Sequence, residues 1–123
     1  MTAPPVTPKT GLAYKIIDAV DWEAAQAAGA YAGSAVDLAD GYIHMSTEAQ
    51  LTETVDKHFA GQSDLHVAAV DLDALGDAVK WEASRGGALF PHIYGGPLLL
   101  ETVIAYGPLE RDGDGVVRLP VAG

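Results

Sequence analysis

Two segments of the chain place polar side chains inside apolar runs. In the first segment His44 interrupts an apolar run, which then ends in the hydroxyls of Ser46 and Thr47. The second segment, 84–95, combines a Gly-Gly pair with His92. Burying such polar groups costs free energy unless hydrogen-bond partners satisfy them, and conflicts of this kind tend to lie at functional sites. We therefore predict that the two segments face one pocket.

The first segment has the pattern of a strand followed by a helix start. His44 and Ser46 are two residues apart, so their side chains lie on the same face of a strand. Thr47 and Gln50 form a capping-box pattern, and the free N–H groups at a helix start favour carboxylate or phosphate. This predicts substrate binding by Ser46 and Thr47. In the alternative interpretation Thr47 only caps the helix and His44 is hydrogen-bonded within the core.

A second group of candidate ligand-binding residues comes just before and within segment 84–95. An aromatic ring can stack on a planar ligand, a guanidinium can bind an anion through two hydrogen bonds, and glycine allows close backbone approach. We predict substrate binding by Trp81, Glu82, Arg85, Gly86 and Gly87. The alternative is a turn in which Trp81 fills the core and Glu82 pairs with Arg85.

His92 and Tyr94 share one face of a short extended segment. An imidazole and a phenol two residues apart can orient a substrate or transfer a proton. We predict that His44 and His92 are catalytic and that Tyr94 binds the substrate. The two histidines are not accompanied by a third ligand at a characteristic spacing, so we expect no metal.

Composition limits the classes of protein to consider. The 123 residues are 49% hydrophobic, enough for one domain with its own core, and they include no cysteine for disulfides or thiolate ligands. Seventeen acidic against seven basic residues give a formal net charge of -10. Because that charge repels phosphate backbones, we predict no nucleic-acid partner. The expected partner is a small molecule, of which an anion is one candidate.

The chain contains no apolar run of membrane-spanning length and no signal-peptide pattern at its start. We therefore expect a soluble cytoplasmic protein without a membrane partner, as a monomer or weak homodimer.

Local patterns predict an α+β fold with a disordered arm at 1–10 and one domain at 11–123. About six mainly antiparallel strands should form a curved or split sheet, with two principal helices in the first half. The predicted strands are 12–17, 42–45, 65–70, 79–82, 101–106 and 116–119. The predicted helices begin at the caps Asp21 and Thr47 and end at Gly29 and Gly61, separated by a loop at 31–40. Asp112 to Gly115 should form the turn of a closing hairpin.

The chain resembles the bacterial and plant family known as domain of unknown function 952. The resemblance covers 12–109 and is carried by Tyr14-Lys15-Ile16, Trp22, Gly33-Ser34, Asp40-Gly41-Tyr42-Ile43-His44-Met45-Ser46-Thr47, Gln50, Glu53-Thr54, His58-Phe59, Asp71, Leu75, Trp81-Glu82, Arg85-Gly86-Gly87, Phe90-Pro91-His92-Ile93-Tyr94-Gly95 and Pro97-Leu98. It implies a small cytoplasmic α+β domain without an assigned activity.

The order of elements in the first half is also similar to ADP-ribosyltransferase-like folds, which hold NAD in the cleft of a split sheet. The chain departs from their pattern in two places: Lys15 stands where many have histidine or arginine, and the region of His92 lacks their glutamate. Two functions stay open. One is an enzyme acting on a nucleotide-like or ADP-ribosyl substrate, with NAD or a related nucleotide as candidate; the other is a binding module without catalysis.

Overall fold

The computed structural model describes residues 11–83 and 89–120. In chain order the elements are β1 (Leu12–Asp18), α1 (Ala19–Ala28), β2 (Ala30–Tyr31), α2 (Ala35–Asp40), β3 (Ile43–His44), α3 (Glu48–His58), β4 (Leu65–Asp71), α4 (Leu72–Leu75), β5 (Val79–Ala83), β6 (Leu89–Ile93), β7 (Leu98–Leu99) and β8 (Val103–Pro108). Single 3-10 turns occur at Gly76–Ala78 and Leu100–Thr102.

Six of the strands form two antiparallel sheets of three strands each. One has the order β1-β4-β8 and the other the order β3-β6-β5, while β2 and β7 pair separately. An isolated bridge between Tyr14 and Ser46 joins the edge of β1 to the chain just after β3. Among the described residues the two sheets share no further strand pairing, so of the two predicted forms, a curved or a split sheet, the fold has the split one.

The core consists of two groups of apolar side chains that follow the alternation of β1. Ala13 and Ile17 belong to one group, whereas Tyr14 and Ile16 belong to the other. Because neighbouring residues of a strand point to opposite faces, the two groups cover the two faces of the sheet β1-β4-β8. Lys15 lies between Ala13 and Ile17 on the strand and is nevertheless buried. A buried cation needs a negatively charged or hydrogen-bonding partner. The partner of Lys15 lies in the candidate functional site.

Helix ends confirm most of the predicted capping signals. Gly29 ends α1 with a positive φ of 83°, and Thr47 with Gln50 forms the predicted capping box of α3. The predicted start of α1 is wrong by three residues, because the side chain of Asp18 rather than Asp21 caps it through the Val20 N–H.

The predicted loop at 31–40 is wrong, because this segment contains β2 and α2. Ser34 caps α2, its hydroxyl accepting from the Asp37 N–H while the Asp37 carboxylate accepts from the Ser34 N–H. A helix of six residues has too few internal hydrogen bonds to be stable alone. Contacts of Asp37 with the rest of the fold therefore contribute to its formation.

The α+β class, the antiparallel pairing and the concentration of helices in the first half are confirmed. The described residues contain eight strands rather than about six. Three of them, β2, β6 and β7, were not among the predicted strands, and the strand predicted at 116–119 does not form. The predicted turn after Asp112 is present, but its return segment makes one bridge, Arg111 with Val117, instead of a strand pair. The predicted arm at 1–10 lies outside the described residues. Within those residues, no helix is both long enough and apolar enough to cross a membrane.

Candidate functional site

A cavity of about 550 Å³ is lined by residues from both three-stranded sheets. Its polar lining combines side chains from β1, α2 and the paired strands β3 and β6, among them Lys15, Asp37, Asp40, His44, Ser46 and His92. Its apolar lining includes aromatic rings, namely Tyr14, Tyr31, Phe59 and Phe90. His44, Ser46 and His92, which were predicted from separate segments, thus line one cavity.

Asp37 is the most highly connected polar side chain in the cavity. Its Oδ2 lies 2.8 Å from Lys15 Nζ and also accepts from the Ser34 N–H. Its Oδ1 lies 2.6 Å from His44 Nδ1 and accepts from the His44 N–H at 3.1 Å. This buried carboxylate therefore joins β1, α2 and β3 through a single side chain.

Asp37 is ionised in this environment. Burial alone would raise its pKa, but the charge of Lys15 and the hydrogen bonds from Lys15, His44 and Ser34 hold the pKa below its ordinary value. Burial lowers the pKa of Lys15, and the charge and hydrogen bond of Asp37 oppose this. Lys15 Nζ also donates to the His44 carbonyl at 2.9 Å, so both acceptors favour its protonated form.

His44 lies between two carboxylates. Asp37 contacts its Nδ1, and Asp40 Oδ2 lies 3.0 Å from its Nε2. Donation to both carboxylates at once requires N–H groups on both ring nitrogens, which is the imidazolium form. The His44 side chain is 32% exposed, whereas that of Asp37 is only 2% exposed. His44 can therefore meet a ligand while its orientation is set from within the protein.

His92 stands directly opposite His44 in the pairing of β3 with β6. The two ring centroids are 5.2 Å apart, and the ring of Tyr42 packs against both imidazoles. His92 is buried, and its Nδ1 has no hydrogen-bond partner among the described residues. Burial and the neighbouring His44 lower the pKa of His92, while Glu82 opposes the shift, so a neutral imidazole is favoured.

Tyr31 adds a neutral hydroxyl to the cavity wall. Burial raises the pKa of its phenol well above the ordinary value, and the charges of Asp37, Asp21 and Asp18 add to this. A phenol that stays protonated can donate a hydrogen bond to a ligand over the whole physiological pH range.

The structure places Ser46 and Thr47 in different surroundings. Ser46 lines the cavity, with its Oγ 2.9 Å from Thr54 Oγ1. Thr47 is buried and caps α3 by accepting from the Gln50 N–H. It is not among the residues of the cavity wall, which matches the structural interpretation of this hydroxyl. Its role in substrate binding stays a prediction.

Glu82 and Tyr94 adjoin the site without lining the cavity. The Tyr94 hydroxyl donates to Glu82 Oε1, and the same oxygen lies 3.8 Å from His92 Nδ1. Trp81 pairs with Pro91. Because neighbouring positions of a strand alternate between faces, Trp81 points away from the face that carries His92. The predicted residues Arg85, Gly86 and Gly87 lie outside the described residues.

Several polar residues of the cavity were not predicted from the sequence, among them Lys15, Asp37 and Asp40. Lys15 was noted only within the two resemblances, while Asp37 and Asp40 were assigned to a loop. A signal was present, since Ser34 followed three residues later by Asp37 has the form of a capping box. Nothing in the local pattern indicated that Asp37 would meet Lys15. For metal binding, the described residues contain no cluster of three or more histidine, cysteine, aspartate or glutamate side chains arranged to hold an ion.

Comparison with known proteins places this arrangement in a family. A model described as protein of unknown function (DUF952) matches residues 16–106. The crystal structure of protein CC0527 from Caulobacter crescentus is 52% identical, with a TM-score of 0.79, and the match covers 88% of this chain and 94% of that one. A solution NMR structure of CC0527 is also 52% identical, with a TM-score of 0.74 over 88% of this chain and 92% of that one. No significant match occurs among curated proteins. The chain therefore belongs to the DUF952 family.

Proposed function

We propose that the cavity binds a nucleotide-like or ADP-ribosyl small molecule, and that His44 and His92 exchange protons with it. The observation that carries this proposal is the cavity lined by residues of both three-stranded sheets, including Tyr14 and Ser46 of the bridge between them. Its volume of about 550 Å³ lies within the range of small-molecule sites. A cleft in a split sheet is also where the similar ADP-ribosyltransferase-like folds hold NAD.

The chemistry of the cavity wall fits the sugar and the base of such a ligand. Carboxylates accept hydrogen bonds from ribose hydroxyls, and those of Asp18, Asp21 and Asp40 lie at the wall. Asp18 also caps α1 and Asp40 also contacts His44, so a ribose would use their remaining acceptor capacity. The rings of Phe59 and Phe90 offer apolar contact to a planar base. Lys15 is already paired with Asp37, so the described wall favours hydroxyl groups over phosphates. Phosphate binding by Arg85 stays a prediction.

The two imidazoles have different contacts in the cavity. Both ring nitrogens of His44 contact carboxylates, whereas the lowered pKa of the buried His92 makes its neutral ring suited to accept a proton. In this proposal His44 is the second group that exchanges a proton with the ligand.

A second candidate function is binding without catalysis. It is favoured by the double contact of His44, because an imidazole that donates to Asp37 and Asp40 has no nitrogen free to take up a proton. In that case the histidines would only shape the cavity and bind the ligand.

Calorimetry and product analysis with NAD, ADP-ribose and AMP would test both functions. The wild type should bind at least one of these compounds, and His44→Asn and His92→Gln should be compared with His66→Gln, a matched change outside the cavity wall. For an enzyme, turnover should fall about 100-fold or more in the two site variants while affinity changes little. Affinity changes without any product from the wild type would establish a binder. Absence of binding by all three compounds would refute the nucleotide-like ligand.

A further inference from the structure

We propose that Glu82, hydrogen-bonded to Tyr94, relays protons between the buried imidazole of His92 and the protein surface. This inference rests on the proposed function, because it assumes that His92 exchanges protons with a ligand in the cavity. It assigns to Glu82 and Tyr94 a role as positioning residues that act through His92 without touching the ligand.

The first observation is the position of Glu82 relative to His92. On the sheet, Lys80 of β5 pairs with His92, and Glu82 is two residues further along the same face. Its Oε1 lies 3.8 Å from His92 Nδ1, the nitrogen that has no hydrogen-bond partner among the described residues. A movement of Oε1 by about 1 Å would bring this pair within hydrogen-bond distance.

The second observation is that Tyr94 is hydrogen-bonded to the same oxygen, Glu82 Oε1. Its hydroxyl donates to Glu82 Oε1, and its ring packs against Tyr42 at a centroid distance of 4.8 Å. The hydrogen bond to Glu82 raises the pKa of Tyr94 to about 12, so the phenol stays a donor. Tyr94 and His92 therefore compete for one carboxylate oxygen.

The third observation is the difference in exposure along the relay. The His92 side chain is 4% exposed and lines the cavity, whereas the Glu82 side chain is 45% exposed and does not line it. Glu82 can exchange protons with water, but His92 is shielded from it. The relay thus runs from His92 at the cavity to the exposed carboxylate of Glu82 on β5.

Protons balance along this path. When the other ring nitrogen of His92 accepts a proton from a ligand hydroxyl, the Nδ1 proton passes to the Glu82 carboxylate and then to water. His92 is then neutral with its proton on the other ring nitrogen, and Glu82 is again ionised. When that nitrogen gives its proton back to the ligand, Nδ1 regains a proton from water through Glu82 and the original tautomer is restored. Tyr94 keeps its proton throughout and stays hydrogen-bonded to Glu82 Oε1.

The charged and titratable groups around His92 determine what a titration should show. His44 and Tyr42 face it from the side of β3, Lys80 and Glu82 from β5, and Tyr94 from its own chain segment. Among these, Glu82 opposes the lowering of the His92 pKa, while His44 contributes to it. Removing the Glu82 charge should therefore lower the His92 pKa further, and releasing Glu82 from Tyr94 should raise it.

NMR titration of the His92 ring in the ligand-free full-length chain would test this inference. Glu82→Gln should lower the His92 pKa by about 0.5 unit or more, because it removes a charge close to the ring. Tyr94→Phe should raise it, because Oε1 becomes free to accept from Nδ1. Glu53→Gln, an exposed carboxylate change on α3, should leave it unchanged.

Shifts of opposite sign in Glu82→Gln and Tyr94→Phe would support the relay, whereas no shift in either variant, or shifts of the same sign, would overturn it. Glu82→Asp, which keeps the charge but shortens the side chain, should fall between wild type and Glu82→Gln. The measurement needs no ligand, so it can fail while the proposed function holds. Equally, the titration can show the expected shifts of the His92 pKa even if no nucleotide-like compound binds.

Discussion

His44 and His92 face each other across β3 and β6, yet their hydrogen-bonding environments differ. The ring centroids are 5.2 Å apart, and each imidazole has a carboxylate neighbour of its own. Asp37 contacts His44 at 2.6 Å, whereas Glu82 is 3.8 Å from His92. One imidazole is thus fixed by an ionised buried partner, and the other stays unpartnered at Nδ1 among the described residues. This asymmetry is the basis of the predictions that concern proton transfer.

Replacing Asp37 should destabilise the fold much more than replacing Asp40. Asp37→Asn leaves Lys15 buried without a negative partner, and breaking a buried ion pair costs about 3–5 kcal/mol. Asp40 is 45% exposed, so Asp40→Asn should cost about 1 kcal/mol or less. Urea unfolding at pH 7 measures both free energies. Similar losses in the two variants would contradict the central role of Asp37.

The free energy of unfolding should decrease as the pH falls below about 6.5. Since the pKa of His92 is lowered in the folded protein, the unfolded chain takes up this proton first. Stability is therefore lost as the pH falls from the unfolded value through the folded one. Unfolding curves at several pH values should show a smaller slope in His92→Gln than in the wild type. His66→Gln is the control, and an unchanged slope in His92→Gln would refute the prediction.

Gly33→Ala should disturb the position of Asp37. Gly33 has a φ of 120°, which L-residues rarely adopt, and an added Cβ would lie 2.8 Å from the Asp37 Cβ. We expect a loss of about 1–3 kcal/mol from backbone strain, with a further loss from the close contact. Gly96→Ala has no heavy atom within 4 Å of the added carbon and is the matched control. Thermal unfolding distinguishes the two, and equal melting temperatures would show that the strain is relieved elsewhere.

Thr47→Ala should weaken α3 without weakening ligand binding. The hydroxyl caps the helix, and removing such a cap costs about 1 kcal/mol. Thr47 does not line the cavity, so affinity for a bound nucleotide should stay within experimental error. Thr47→Ser keeps the cap and should restore stability. A fall in affinity in Thr47→Ala that Thr47→Ser restores would instead assign the Thr47 hydroxyl to ligand binding.

Residues close together along the chain determined much of the fold. The apolar alternation predicted β1 and β4, Gly29 predicted the end of α1, and Thr47 with Gln50 predicted the start of α3. Each signal acts over a few residues, so it can be read from the chain order. The same reasoning failed for α2, where the capping pattern of Ser34 with Asp37 was present but the helix has only six residues. Its formation depends on contacts outside the segment.

The composition of the site was partly available from the sequence, whereas its assembly was decided by tertiary structure. His44 and His92 stood out as polar residues in apolar runs, but their direct opposition follows from the register of β3 with β6. Lys15 and His44 are 29 residues apart in sequence, and Lys15 Nζ reaches both the His44 carbonyl and Asp37. Contacts between residues that are distant in sequence depend on how whole sheets and helices pack. Local propensities and spacing within a segment carry little information about them.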